Sequence, residues 1–199
     1  MKQILRRFGF SLFAVLLMTF GAGEVYAQSQ AQNQAPVQVR SRAEETTEWW
    51  NQIGKKLIAM AKDFPEDKYD FKLQKDQRTF AQNLLHVAAI DYYLIGKVSG
   101  TKAGPDFGKD FENPSRDVYK TKADVVKLLE QAVADGAAVI KQQGDEGLDK
   151  TMPFGWETGR QTVHISYVWL SGIEHSSEHF GQLVVYYRAN GLVPPESRQ

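Results

Sequence analysis

The amino-acid sequence predicts an all-α protein built as a four-helix bundle. Apolar residues recur at three- and four-residue steps in four segments of about twenty to thirty residues each. No segment shows the alternation of apolar and polar residues that is typical of strands. Four amphipathic helices in a chain of 199 residues fit one bundle domain. We expect antiparallel helices, while two long loops leave the order of the connections open.

The chain begins with the features of a signal peptide, predicted over residues 1–27. Lys2, Arg6 and Arg7 precede an apolar stretch that is shorter than the ~20 residues needed to span a bilayer. Ala27 ends a small-x-small pattern of the kind that signal peptidase cleaves, although an uncleaved N-terminal anchor is the alternative. The chain has no cysteine, which excludes a lipoprotein signal and a disulfide. We therefore expect a periplasmic or secreted protein with no stable membrane anchor after cleavage.

The segment after the predicted cleavage site is polar. Residues 28–41 are rich in glutamine and cannot bury enough apolar surface to fold, so they are predicted to form a disordered linker before a domain of residues 42–199. Cleavage would remove three basic residues and one acidic residue, which leaves 21 basic and 23 acidic side chains and a net charge of −2. A nucleic-acid-binding domain normally carries a basic excess, so we expect no nucleic-acid partner.

The first two predicted helices cover residues 42–62 and 79–98. Four apolar residues share one face of the first helix: Trp50, Ile53, Leu57 and Met60. Pro65 disfavours helical geometry in the residue before it and so ends this helix. The second helix is apolar around most of its circumference, which predicts a central position in the bundle. His86 lies within this apolar run, where it needs a polar partner.

The last two predicted helices cover residues 121–144 and 160–190. Thr121 and Asp124 form the pattern of a capping box at the start of the third helix. Gly191, with two prolines shortly after it, ends the fourth helix. Two long loops precede these helices: residues 100–120 and 145–159. Long loops in compact domains are often functional.

Two of the four histidines lie one turn apart on the fourth helix. His175 and His179 are separated by about 40° on the same face, which lets both imidazoles reach a single metal ion. That face is polar on an otherwise apolar helix, and polar groups that point into a bundle need a metal, a ligand or water. His86 would supply a third ligand from the second helix. We exclude His164, because it lies about three turns before His175 along a continuous helix.

The same stretch matches the H-x-x-E-H pattern of inverzincin proteases, in which Glu178 would act as a general base. That hypothesis requires an acidic ligand well downstream. Twenty residues follow His179, and Glu196 is the one acidic side chain among them. We therefore expect no inverzincin site. A histidine pair of this spacing is also found on helix surfaces and in satisfied cores, so the pair alone is weak evidence.

Two stretches resemble the signatures of one family. The segment “EHSSEHFGQLVVYYRANGLVPP” is similar to the C-terminal motif of the DinB family, which reads D-H-x-x-H-H-R-G-Q, then a tyrosine and an arginine, then a glycine and two prolines. The segment around “LLHVA” resembles the second-helix signature of the same family, the DinB/YfiT-like metalloenzymes. Both motifs occur in the family's order and spacing, and the resemblance covers residues 49–195.

The resemblance implies a four-helix bundle in which His86, His175 and His179 bind a divalent metal ion, with Zn, Ni, Fe and Mn as candidates. The chain departs from the family pattern at two positions. Glu178 stands where the family usually has a histidine, and Phe180 stands where it has an arginine. Characterised members include thiol transferases, but an exported protein would rarely meet reduced thiols, which counts against that chemistry here.

Three functions are compatible with these features. The first is an exported metal-dependent hydrolase or transferase that acts on an unknown small molecule. The second is a protein that binds a metal or a small ligand without turnover, and the third is a structural bundle with an empty polar core. Aromatic residues of the two long loops either line a mouth for the substrate or cap the bundle: Phe107, Phe154 and Trp156. The sequence leaves both a monomer and a homodimer open.

Overall fold

The computed structural model describes residues 39–107, 110–155 and 161–198. The predicted signal peptide and the predicted linker up to residue 38 lie outside these residues. The chain divides into two units, Met1–Val39 and Arg40–Gln199, and the second unit is the domain described below. Within the described ranges, no helix combines the length and the apolar character needed to cross a bilayer.

Four long helices form the predicted bundle: α1 (Arg42–Asp63), α2 (Phe80–Ser99), α3 (Lys122–Leu148) and α4 (Ile165–Ala189). The first three begin with complete capping boxes, which satisfy backbone N–H groups at both ends of the first turn. The boxes are Ser41–Glu44, Thr79–Gln82 and Thr121–Asp124. The box predicted at Thr121 is thus confirmed. Arg40 and Ser41, which the prediction assigned to the linker, belong to the start of α1, because Ser41 caps that helix and Arg40 pairs with Glu48.

Two of the three consecutive helix pairs, α1–α2 and α3–α4, are not main packing partners in this bundle. α1 packs mainly against α3 and α4, and α2 packs mainly against the same two helices, so α1 and α2 lie on a diagonal. α1 and α4 run parallel. Trp50 and Trp169 meet near the starts of these helices, with ring centroids 5.3 Å apart, and Phe64 meets Tyr187 at their ends, at 4.9 Å.

α2 and α4 run antiparallel and approach closely at a glycine. Asn83, early in α2, contacts His179, late in α4, whereas Leu94, late in α2, lies against Gly172, early in α4. A Cβ atom at Gly172 would stand 2.6 Å from Leu94 Cδ1 and 3.2 Å from the Trp50 ring. This position accepts no side chain without movement, so glycine sets the short separation between the two helices.

α1 and α3 run antiparallel, since the amide of Ala43 donates to Asp145 Oδ1 at 2.9 Å and Lys122 Nζ donates to the carbonyl oxygen of Phe64 at 2.8 Å. It follows that α2 and α3 are parallel neighbours. A parallel pair needs a connection that returns along the bundle, which explains the length of the segment 100–121. The expectation of antiparallel neighbours therefore holds for two of the four packed pairs only.

Two short strands pair antiparallel before α4: β1 (Thr151–Phe154) and β2 (Gln161–His164). The prediction that the fourth helix begins at residue 160 is therefore wrong, and so is the expectation that the chain has no strand. Phe154 is buried with Val168 in a small apolar cluster, which favours the interpretation that this aromatic residue caps the bundle. Strands of four residues are too short to show a reliable alternation, which is why the pattern did not reveal them.

The end of α3 holds the start of α1 in place. The helix is interrupted at Gly144, whose φ of 58° lies in the left-handed region, and this is where the sequence predicts its end. One further turn follows, with Leu148 fully buried. Asp149 then accepts two hydrogen bonds from the guanidinium of Arg42, at 2.6 and 2.7 Å.

Candidate metal centre

Three imidazoles meet between α2 and α4. The ring centroid of His86 lies 5.0 Å from that of His175 and 4.9 Å from that of His179, and the last two are 4.6 Å apart. One nitrogen of each ring can be chosen so that all three atoms lie within 4.8 Å of one another. His86 and His179 are buried, and His175 is half-buried. The structure thus brings together the three residues that the sequence singled out, and their binding of a metal stays a prediction.

The ring of His86 is oriented by the connection between α2 and α3. Its Nδ1 lies 2.5 Å from the carbonyl oxygen of Glu112. A carbonyl oxygen can only accept a hydrogen bond, so Nδ1 carries the proton and Nε2 keeps its lone pair. Nε2 is also the atom that faces His175. The backbone of this connection therefore fixes the tautomer that a metal ligand requires.

The ring of His179 is oriented by Asn83. Nδ1 of His179 lies 3.1 Å from Oδ1 of Asn83, while Nδ2 of Asn83 donates to the carbonyl oxygen of Thr79 at 3.0 Å. Because the Thr79 carbonyl can only accept, the amide must turn its NH₂ group toward it and its oxygen toward the histidine. Nδ1 of His179 is then the donor, which leaves Nε2 with a free lone pair.

The spacing of one pair of ring nitrogens suits a tetrahedral ion. Nε2 of His86 and Nε2 of His175 are 3.1 Å apart. Two imidazole nitrogens that each bind a tetrahedral zinc ion at about 2.0–2.1 Å are separated by roughly 3.3 Å. Imidazole ligands suit transition-metal ions, whereas Mg²⁺ and Ca²⁺ prefer oxygen ligands. The donor set therefore fits the metals that the sequence analysis named.

All three imidazoles are uncharged at neutral pH. Burial is the main cause: it holds the pKa of His86 below its usual range and lowers the pKa of His175 to about 4 and that of His179 to about 3. The positive charge of Arg78 lowers all three pKa values further. A neutral imidazole is the form that binds a metal, so these rings need to lose no proton to accept an ion at neutral pH.

The other candidate residues lie away from the cluster. His164 is the exposed last residue of β2, with its Nδ1 2.8 Å from the carbonyl oxygen of Asp149. It is not part of the three-histidine group, and no continuous helix joins it to His175, so its exclusion as a ligand stays a prediction. Glu178 is exposed and forms no part of the cluster, so the described residues give the inverzincin hypothesis no support. Phe180 packs against the core, and Lys56 Nζ lies 5.7 Å from the centre of its ring.

Two groups that orient the histidines were missed from the sequence. Asn83 lies three residues before His86, and a polar residue in such an apolar helix was an available signal. Glu112 acts through its backbone carbonyl, which no side-chain pattern reports. Of the other aromatic residues considered for a mouth, Phe107 is half-buried and packs against the core, while Trp156 lies outside the described residues.

The family of the chain follows from its sequence as a whole. A model of the DinB superfamily matches residues 33–183, which is more than half of the chain. The chain belongs to the DinB superfamily. The resemblance of its two motifs to the DinB signatures is thereby confirmed. No curated protein matches the chain significantly.

Solved structures share the fold of this DinB protein. A DinB-like protein from Bacillus cereus is 16% identical with a TM-score of 0.61, and the match covers 76% of this chain and 95% of that one. A DinB-like protein from Bacillus subtilis is 17% identical with a TM-score of 0.56, over 74% and 92%. YfiT from Bacillus subtilis, described as a probable metal-dependent hydrolase with an unusual four-helix bundle topology, is 15% identical with a TM-score of 0.55, over 80% and 94%. At these identities the likeness concerns the fold alone.

Proposed function

We propose that this protein is an exported hydrolase whose divalent metal ion is bound by His86, His175 and His179. One observation carries the proposal. The three rings converge, and the outward nitrogens of His86 and His179 are engaged by groups that fix the tautomer of each ring. Histidines that only fill a core need no such common orientation of their lone pairs.

Three protein ligands favour catalysis over storage of the ion. A divalent ion bound by three imidazoles keeps open positions, at which it can lower the pKa of water or polarise a carbonyl or phosphoryl oxygen. The chain's own part is to hold the rings neutral and oriented by burial and by the contacts to Asn83 and Glu112. The description of YfiT as a probable metal-dependent hydrolase supports hydrolysis over group transfer.

A second candidate function is the binding of a metal or small ligand without turnover. The exposed position of Glu178 favours it, because this carboxylate does not reach the cluster and so supplies no general base there. The two functions share the same ligands and differ in turnover alone.

The test begins with the metal content of protein purified without an immobilised-metal resin. We expect about one transition-metal ion per chain, and hydrolysis of at least one substrate in a panel of esters, amides and phosphoesters that is lost in His175→Ala. An ion without turnover would support the second function. Protein that takes up no ion, even when Zn²⁺ is supplied, would exclude both.

Export is tested separately. The basic residues, apolar stretch and cleavage pattern of residues 1–27 support a mature chain that begins at Gln28. N-terminal sequencing of the protein from its native host, after cell fractionation, would give this residue in a soluble extracytoplasmic fraction. Met1 retained in the membrane fraction would contradict the proposal and would favour an uncleaved anchor.

A further inference from the structure

An open pocket of about 630 Å³ lies against the layer of residues that orients the histidines. Asn83 lines this pocket and also contacts His179. Asn113 lines it as well, directly after Glu112, whose carbonyl oxygen contacts His86. The pocket is therefore adjacent to the candidate metal centre and shares part of its wall with that centre.

The wall of the pocket contains a guanidinium without a counterion. Arg78 is half-buried, and its Nε donates to Oδ1 of Asn113 at 2.9 Å. Among the described residues, no carboxylate forms an ion pair with it, although Asp76 also lines the pocket. Three other arginines of the domain pair with aspartates, Arg42 with Asp149, Arg116 with Asp70, and Arg198 with Asp63, whereas the exposed Arg188 resembles Arg78 in forming no ion pair with the described residues.

Arg78 lies beside the residues that contact the metal centre. It lines the pocket together with Asn83, whose Oδ1 lies 3.1 Å from Nδ1 of His179, and its backbone carbonyl accepts a hydrogen bond from the hydroxyl of Tyr186 in the same wall. In the described part of the chain the nearby Asp110 carboxylate binds the amide of Asn113 and forms no ion pair with Arg78. The open pocket gives an anion from solvent access to the guanidinium.

We infer that Arg78 binds a carboxylate group of the substrate, and that this contact places the reacting part of the molecule toward the three histidines. The inference rests on the proposed function in taking the bound molecule as the substrate. With Nε engaged by Asn113, the two Nη groups remain for a planar, singly charged partner. The amide of Gln182, which also lines the pocket, provides neutral hydrogen bonds to the rest of the molecule. A phosphate dianion would call for further cations, whereas the pocket adds the acidic Asp76.

The experiment uses the full chain loaded with zinc and three probes: butyrate, butyramide and inorganic phosphate. Their dissociation constants are measured by ligand-observed NMR titration for wild type, Arg78→Gln, Arg78→Lys and Asn113→Ala. We expect wild type to prefer butyrate over butyramide and Arg78→Gln to weaken butyrate roughly tenfold or more, because a hydrogen bond to a charged group is lost. Butyramide binding should not change, and Arg78→Lys should restore part of the preference.

The Asn113→Ala variant is the matched control. It removes the same hydrogen bond but keeps the guanidinium, so the preference for butyrate should persist. If butyrate affinity fell equally in Asn113→Ala and Arg78→Gln, binding would depend on the ordered conformation of the loop and not on the charge of Arg78. That result would overturn the inference. Equal butyrate affinity in wild type and Arg78→Gln would overturn it too, because zinc alone would then bind the carboxylate. Arg78-dependent phosphate binding tighter than that of butyrate would overturn the carboxylate class.

Zinc content separates this inference from the proposed function. Arg78→Gln leaves the three histidines and their hydrogen-bond partners intact, so it should retain the zinc of wild type. If wild type binds no zinc but still prefers butyrate through Arg78, the metal centre fails and the carboxylate site stands. If wild type binds zinc and shows turnover but does not prefer butyrate, the inference of a carboxylate site is wrong and the proposed function is kept.

Discussion

We expect His86, His175 and His179 to act as one unit in binding a metal ion. Each ring offers a nitrogen to the same small volume, and the rings of His86 and His179 are oriented by different parts of the chain. Residues that share one ion do not contribute independently to its affinity, since the loss of one ligand already weakens the whole site. This coupling distinguishes a metal centre from three histidines that merely pack together.

The first prediction concerns these ligands. Replacing any one of the three with alanine should weaken metal binding by roughly a hundredfold or more, since even a residue that only orients a ligand contributes about ten- to a hundredfold. A second replacement should then add little. Affinity for Zn²⁺, measured by competition with a chelating dye, checks both statements. His164→Ala should bind like wild type, because this exposed residue contacts the Asp149 carbonyl and not the cluster. Normal affinity in His86→Ala would show that the site is assigned to the wrong residues.

The second prediction concerns Asp91, which lies on α2 with 2% of its surface exposed. Its Oδ1 has no hydrogen-bond partner among the described residues, and burial raises the pKa of this carboxyl well above its usual range. The folded state therefore keeps the proton that the unfolded state releases above about pH 4, so this carboxyl lowers the stability as the pH rises from 4 toward neutral.

Asp91→Asn should remove that loss. The free energy of unfolding of Asp91→Asn minus that of wild type should increase by about 1 to 3 kcal/mol from pH 5 to pH 7, at about 1.4 kcal/mol for each pH unit over which the wild-type carboxyl stays protonated. Urea unfolding at both pH values measures the difference. A difference between the two proteins that is the same at pH 5 and pH 7 would show that Asp91 does not retain its proton.

At the scale of the elements, α4 approaches α2 closely because Gly172 presents no side chain to Leu94. The helices themselves were predictable, since each carries the 3.6-residue period over several turns and three begin with recognisable caps. The start of α4 was not predictable, because Gln161–His164 fits the helical stripe in isolation. Only the pairing of this segment with β1 makes it a strand. In the same way the histidines could be selected by their positions on helix faces, whereas the Glu112 carbonyl depends on the path of a loop.

The third prediction compares two glycines of the same helix. Gly172→Ala should destabilise the protein by about 1 to 3 kcal/mol, because its Cβ would overlap Leu94 Cδ1 in a packed core. By moving α4 away from α2, it should also weaken metal binding. Gly181→Ala is the matched control: open space surrounds its Cβ position, so alanine should stabilise the helix by about 0.5 to 1 kcal/mol. Thermal unfolding and Zn²⁺ titration of both variants would measure this, and equal effects would contradict the close-approach argument.

At the scale of the whole molecule, the candidate ion joins two helices that belong to different halves of the domain. An ion that binds only the folded state raises the free energy of unfolding by RT ln(1 + [L]/Kd), which is about 2.7 kcal/mol at a hundredfold excess of free ion over Kd. The bundle of residues 40–199 should therefore respond to the ion as one unit.

The fourth prediction follows from this linkage. Removing the ion with EDTA should lower the Tm of wild type by roughly 5 to 10 °C, as expected when about 2.7 kcal/mol is lost in a domain of this size. His175→Ala, which lacks a ligand, should show almost no response to EDTA. Differential scanning calorimetry of both proteins, with and without EDTA, makes the comparison. A drop of equal size in the two proteins would mean that EDTA acts elsewhere than at the three histidines.

The diagonal wiring of the bundle also determines when the metal centre can exist during folding. Three of its four packed helix pairs are remote along the chain, and the fourth, α2 and α3, is joined by a connection long enough to return along the bundle. His86 and His175 are 89 residues apart. Contacts between remote segments form late and make folding slower than in a bundle of consecutive hairpins. The ion would then act after the rate-limiting step, when α4 has docked. It should slow unfolding while leaving the folding rate almost unchanged, so that its effect is on the lifetime of the native protein.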